Sequence, residues 1–296
     1  MNGPELTAYT IASIALAISF ALYILSSRTP HVSRFTLHVS RFTLHVSRFT
    51  NAIATVALLS LCLGLAWRGI VARRWPLGSP FEFTLAFAAS IILVYLSLYK
   101  TTPMPLAGAI AILLALLLLA YAFFIQPEAA RAIQPLPLVM RGIWFALHTL
   151  FTVIACGALA VAGGVALLVL PSLSRAARPA PNEIKGSSIV ASVLPLPALV
   201  DRAMAVGYIA LSLGMIAGGI WGEQAWGEYW SWSIKETWTL ITWWVCTFYY
   251  HVRRRRGWRG SRAMCIAVLA LVAVGVTVFL TPSLLHWTRL QRWRIY

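Results

Sequence analysis

The chain has 296 residues, 60% of them hydrophobic and 11% charged, with a mean hydropathy of +0.78; a water-soluble fold of that size needs far more polar surface to cover its core. Apolar runs of about 17–25 residues recur from end to end, the length at which a helix crosses a bilayer, and they lack the alternation of transmembrane β-strands. The formal charge of +16 invites a nucleic-acid partner, but most arginines stand in short loops or just beyond apolar runs, where they set membrane topology, and that partner is rejected.

The expected fold is an all-α polytopic integral membrane protein of about eight transmembrane helices. The runs cover Thr7–Ser26, Ala52–Val71, Phe83–Tyr99, Leu106–Ile125, Ile143–Leu170, Met204–Trp221, Thr237–Tyr250 and Ala263–Thr281. No basic residue precedes the first run and Arg28 follows it, so it reads as a retained helix rather than a signal peptide. The seventh run is short, and its flanking aromatics complete it.

Between the first two runs, residues 31–50 read HVSRFTL, HVSRFTL, HVSRFT. His31, His38 and His45 could cluster around a metal, but expansion of a short DNA repeat explains them without a site. Residues 1–50 are therefore read as an N-terminal helix and a repeat-expanded cytoplasmic loop, and residues 51–296 as a transmembrane domain. Within the latter, Pro171–Arg202 is rich in Pro, Ala and Ser and reads as a loop. Gly214 and Gly218 form a small-xxx-small face for close helix packing. Cys62, Cys156, Cys246 and Cys265 lie in apolar segments without metal-ligand spacing, and no CxxCH occurs, so the chain carries no thioether-attached haem of its own.

Eight spans place both termini on one side. The opposite side then holds 15 of the 24 Lys and Arg residues, among them the run Arg253–Arg256. Positive residues mark the cytoplasmic side, so both termini are expected outside the cytoplasm.

Seven of the 13 tryptophans fall between Trp221 and Trp244, in WGEQAWGEYWSWSIKETWTLITWW. Residues 221–238 are expected as an external loop leading into the seventh span. A belt at the lipid interface is one account of them. A flat aromatic platform for a large planar ligand, built from Trp226, Trp230, Trp232 and Trp238 with Gly222 and Gly227, is the other. His148 and His286 fall on the same membrane face as this loop. Each alone reads as a satisfied polar residue, but neutral imidazoles on two sides of a macrocycle are a standard way to hold haem iron. His251 ends the seventh span 14 residues after Thr237, roughly 20 Å deeper at 1.5 Å per residue. It stands beside the cytoplasmic arginines, and a bis-histidine site there needs a partner chain.

WGEYWSWSIKETWTLITWWVCTFYYHVR resembles the tryptophan-rich WWD region of the system II cytochrome c biogenesis proteins of the CcsA/ResC type, and its KET is closer to this type than to the haem-handling relatives of system I. WPLGSPFEFTLAF resembles the family's entry to an early helix, with Glu82 at the acidic position. GIWFALHTL and LLHW resemble the segments bearing the two external histidines, here His148 and His286. YYHVR resembles the helix end with the inner histidine, here His251. The resemblance covers most of the chain from about Trp75 onward.

It implies a bacterial inner-membrane protein that handles haem b as a substrate. Haem arrives at an inner site shared with a CcsB/ResB-type membrane partner. It then reaches the external pocket, where His148 and His286 hold it until the thiols of an apocytochrome c CxxCH attack its vinyl groups. The chain would be a subunit of a cytochrome c synthetase that works by positioning. Two departures stand out: Ser233 and Ile234 replace the Asp and Pro of the family's WDPKE, and Trp287 and Thr288 follow His286 in place of Ser-Tyr. Ser233 favours a second reading, a non-catalytic haem carrier or assembly subunit with a degenerate motif. A transporter for an unrelated solute lacks paired charges or broken helices to support it.

Overall fold

Long uninterrupted apolar stretches leave backbone groups no partner in lipid except one another, so each stretch closes into a helix. The computed structural model describes residues 3–28, 36–98, 105–176, 196–255, 257–258 and 260–281, and no strand occurs among them. The helices are α1 (Gly3–Arg28), α2 (Thr36–Ala72), α3 (Pro80–Leu98), α4 (Pro105–Ala120), α5 (Glu128–Arg131), α6 (Ile143–Ala176), α7 (Leu196–Trp226), α8 (Ile234–Arg255) and α9 (Ser261–Gly275). π-helical turns prolong α4 over Tyr121–Ile125 and α9 over Val276–Leu280.

Seven of these are long and apolar enough to cross a membrane: α1, α2, α3, α4, α6, α7 and α9. The remaining expected span, the seventh, corresponds to α8. Its 22 residues are enough for about 30 Å of hydrocarbon, but Lys235, Glu236 and Arg253–Arg255 leave it less apolar than the other seven. The all-α polytopic architecture stands.

α6 lies at the centre, packed against α3, α7 and α9. Its inward residues are small, with Ala155, Ala158, Ala160, Ala162 and Ala166 all buried, so neighbouring backbones approach closely. The Gly214–Gly218 face packs on α6 as expected: a Cβ at Gly214 would meet Thr152 Oγ1 at 3.2 Å.

α1, α2 and α3 are joined by buried charges. Arg68 donates from Nε to Glu82 at 2.8 Å, from Nη1 to Glu5 at 2.7 Å, and from Nη2 to the carbonyls of Arg131 and Ala132. All three charged residues are within 1% of complete burial. Glu82 also starts α3: its Oε2 accepts the Ser79 N–H while its own N–H donates to Ser79 Oγ, a capping box with Pro80 at the first helical position.

Two expectations need correction. The repeat was expected as a loop, yet from Thr36 onward it is part of α2. Val39, Phe42, Val46 and Phe49 recur three and four residues apart, so the seven-residue repeat is also a helical heptad. His31 lies outside the described residues, and among those described no group of three or more His, Cys, Asp or Glu could hold a metal. The Trp-rich loop is also shorter than 221–238, because α7 runs on to Trp226 and α8 begins at Ile234. Gly222 does not break α7. It is buried, and a Cβ there would lie 3.0 Å from the Glu228 carbonyl, so glycine lets the returning chain lie close.

Candidate functional site

His148 sits in the second turn of α6, facing α7. Its Nδ1 lies 2.8 Å from the Gly214 carbonyl. A carbonyl can only accept, so Nδ1 carries the proton and Nε2 keeps an unprotonated lone pair, the form that ligates a metal. The ring stacks on Trp221 with centroids 5.9 Å apart and planes 19° from parallel. Opposite, Gly218 leaves the room the imidazole occupies, since a Cβ there would lie 2.5 Å from Nδ1.

Trp221 is itself held from several directions. Its Nε1 donates to the Val139 carbonyl at 2.7 Å, and Phe145 and Trp226 pack at 5.1 and 5.6 Å. From Gly227, at φ +80°, seven residues lead back to α8. Trp230 and Trp232 meet edge to face at 5.9 Å. Among the described residues the buried Trp230 Nε1 has no hydrogen-bond partner, an N–H to which an acceptor on a bound molecule could add. Trp232 adopts φ +56°, a conformation costly for a bulky side chain. Trp226, Tyr229 and Trp232 are all more than 60% exposed, an aromatic surface of the kind that stacks planar ligands.

The loop closes on Glu236, which accepts from the backbone N–H and hydroxyl of both Ser231 and Ser233 at 2.8–3.1 Å. Burial pushes this carboxyl up, but those hydrogen bonds outweigh it and hold Glu236 below its ordinary value. The Glu236 N–H returns to Ser233 Oγ, so Ser233 is the N-cap of α8. Serine and aspartate are comparably good N-caps, and the departure from the family's aspartate leaves the start of the helix intact.

His148 and Trp226 are thus linked through Trp221, and Trp230 pairs with Trp232. Trp238 is half-buried on the second turn of α8. His286 lies outside the described residues. His251 is exposed at the far end of α8, 15 residues beyond Glu236 and so roughly 22 Å away. It continues a stripe with exposed Ile241, Trp244 and Phe248, spaced three and four residues apart on one helical face. Beside it Arg253 pairs with Asp201, which also accepts from the Tyr249 hydroxyl.

The tryptophan count did not single out Trp221, which closed a predicted span. Val139 carries no signal in its own side chain, because only its carbonyl is used. Arg68 was signalled only as a basic residue inside an apolar run.

The profile of the cytochrome C assembly protein family matches residues 79–287. The cytochrome c biogenesis protein CcsA of Synechococcus sp. (strain CC9605) is 30% identical over 247 residues, covering 76% of this chain and 80% of that protein. CcsA of Synechococcus sp. (strain CC9311) is 32% identical over 251 residues, covering 75% and 82%. CcsA of Prochlorococcus marinus (strain MIT 9303) is 30% identical over 252 residues, covering 75% and 79%.

Proposed function

The chain belongs to the cytochrome c assembly protein family, and from that premise we propose that it serves cytochrome c biogenesis by holding haem at the Trp-rich end of the bundle and presenting it to an apocytochrome c. The observation that carries this reading is His148: its Nδ1–H is committed to Gly214, so Nε2 is the free donor, beside an aromatic panel at a helix end. Haem brings an iron for that nitrogen and vinyl groups for the incoming thiols. The chain's own residues bind and orient. His148 would supply one axial ligand and His286 the other, Trp226, Trp230, Trp232 and Trp238 offer apolar faces, and the tight turn of residues 227–233 packs the panel against α7.

His251 belongs to an inner site in this reading, completed by a CcsB/ResB-type partner. The exposed Ile241, Trp244, Phe248 and His251 stripe supports it, because one histidine gives one ligand and an aromatic face beside it suits a second membrane chain. The membrane is the bacterial inner membrane, with the Trp-rich loop on the external face.

Coexpression with such a partner and an apocytochrome bearing CxxCH tests the proposal by haem staining of denatured cytochrome. Covalent haem that falls at least tenfold in His148→Gly supports presentation. Haem that copurifies with the chain while no cytochrome is ever made favours the carrier reading, for which Ser233, lacking the family's carboxylate, is the specific observation.

A further inference from the structure

At the same end of the bundle, α2 and the chain before α6 enclose a cleft of about 620 Å³, lined by Ala72, Arg73, Arg74, Trp75, Pro135, Leu136 and Arg141 among others. Among the described residues no carboxylate lines it. Arg74 is neutralised by two bonds to Glu82. Among the described residues the Arg73 guanidinium makes no hydrogen bond or ion pair, and Arg141 uses only Nε, toward the Leu136 carbonyl at 3.0 Å. The cleft therefore has two uncommitted positive groups over an apolar floor.

The backbone gives a second observation. The Arg74 N–H donates to Gly69 O at 3.1 Å and the Arg73 N–H to Ile70 O at 3.2 Å, the paired bonds that commonly end a helix on glycine. Here the left-handed position, φ +50°, is held by Arg73. An arginine there holds a conformation that glycine adopts at less cost, and its side chain lines the cleft.

Surroundings decide what anion fits. The cleft lies where the spans of α2 and α6 end, at Ala72 and Ile143, the depth of lipid headgroups. Its chain neighbours Ile70, Leu138 and Ile143 are 57–81% exposed, apolar surface facing the bilayer, and Trp75 is 61% exposed, as interfacial tryptophans are. Among the described residues no Trp-loop residue and no histidine lines it.

We propose that this cleft binds the phosphate headgroup of an anionic phospholipid, with Arg73 and Arg141 on the phosphate and the acyl chains leaving along Ile70 and Leu138. Phosphate beside an apolar body satisfies both guanidiniums and covers the floor at once.

The test is lipid retention by the purified protein after washing in detergent containing equal phosphatidylglycerol and phosphatidylcholine, read by native mass spectrometry. The wild type should keep phosphatidylglycerol preferentially. Arg73→Gln with Arg141→Gln should weaken that retention about 30-fold, while the double lysine variant keeps most of it. Arg73→Gly guards against misfolding, since glycine suits φ +50° and should lose lipid without loss of thermal stability. Equal retention of the two lipids, or unchanged retention in the glutamine variant, overturns the proposal. Displacement of the lipid by inorganic phosphate at equal concentration would make it a free-oxyanion site, and loss of haem with lipid unchanged would make it a carboxylate site for the porphyrin; either outcome also overturns it.

Discussion

Gly218 shows how closely the His148 site depends on single atoms. Adding one methyl places a carbon 2.5 Å from the imidazole Nδ1, and neither helix backbone can move away freely. Gly218→Ala should push the ring off Gly214, lower haem per protein several-fold, and cost about 1–3 kcal/mol of stability. Absorbance and thermal melting measure both. Gly142→Ala is the control, because a Cβ there meets nothing within 4 Å. If Gly218→Ala holds haem as well as Gly142→Ala does, the ring position does not matter to binding. At this scale His148 was legible as a candidate from its membrane face and from the family resemblance. Its tautomer was not, because the bond that fixes it comes from Gly214, 66 positions away.

Among the elements, α8 was the hardest to place from composition, since charged ends dilute its apolar middle. Its start is clear once Ser233 and Glu236 are seen as a reciprocal pair three residues apart. Ser233→Ala should cost about 1 kcal/mol and loosen the 227–233 turn, whereas Ser233→Asp should melt within a degree or two of the wild type. A Ser233→Asp variant as unstable as Ser233→Ala would rule out the capping role. Glu236 sits below its ordinary value when folded, so its contribution is present above the unfolded carboxyl pKa and is lost as pH falls through the lower folded value.

α1 is the other element whose placement the pattern of residues did not disclose. Glu5, Arg68 and Glu82 lie far apart in sequence and look like isolated charges, yet they form one buried network. Arg68→Ala leaves Glu5 without its ion-pair partner and should cost about 3–5 kcal/mol. Glu5→Gln with Arg68→Met leaves Glu82 paired to Arg74 and should recover part of that loss. A double variant no better than Arg68→Ala would mean that packing, not the charges, holds α1. The repeat misled in the opposite direction, since exact repetition suggested loop drift while its period of seven is also helical.

For the whole molecule, the apolar runs fixed the class and nearly all the spans, because in lipid only hydrogen-bonded helices survive. The side on which the Trp-rich end lies rests on the split of 15 basic residues against nine. A reporter active only outside the cytoplasm should work when fused after Tyr296 and be silent when fused between Arg253 and Arg262. The reverse pattern would put the Trp-rich end in the cytoplasm. The structure sets His148 beside Trp221 at one end of the bundle and His251 at the far end of α8. Sequence did not reveal the Trp221 stack or the short turn, which depend on where α7 stops.

In the proposed function His148 Nε2 ligates haem iron. The test is the absorption spectrum of the purified protein with its partner, compared with that of His148→Gly in the absence and presence of imidazole. Low-spin bis-imidazole iron has a distinctive spectrum, and losing one ligand opens a coordination site without removing the aromatic pocket. The wild type should show that low-spin spectrum, His148→Gly should lose it together with much of the haem, and added imidazole should restore it in part. An unchanged spectrum in His148→Gly, or a loss that imidazole does not touch, would rule out His148 as a ligand.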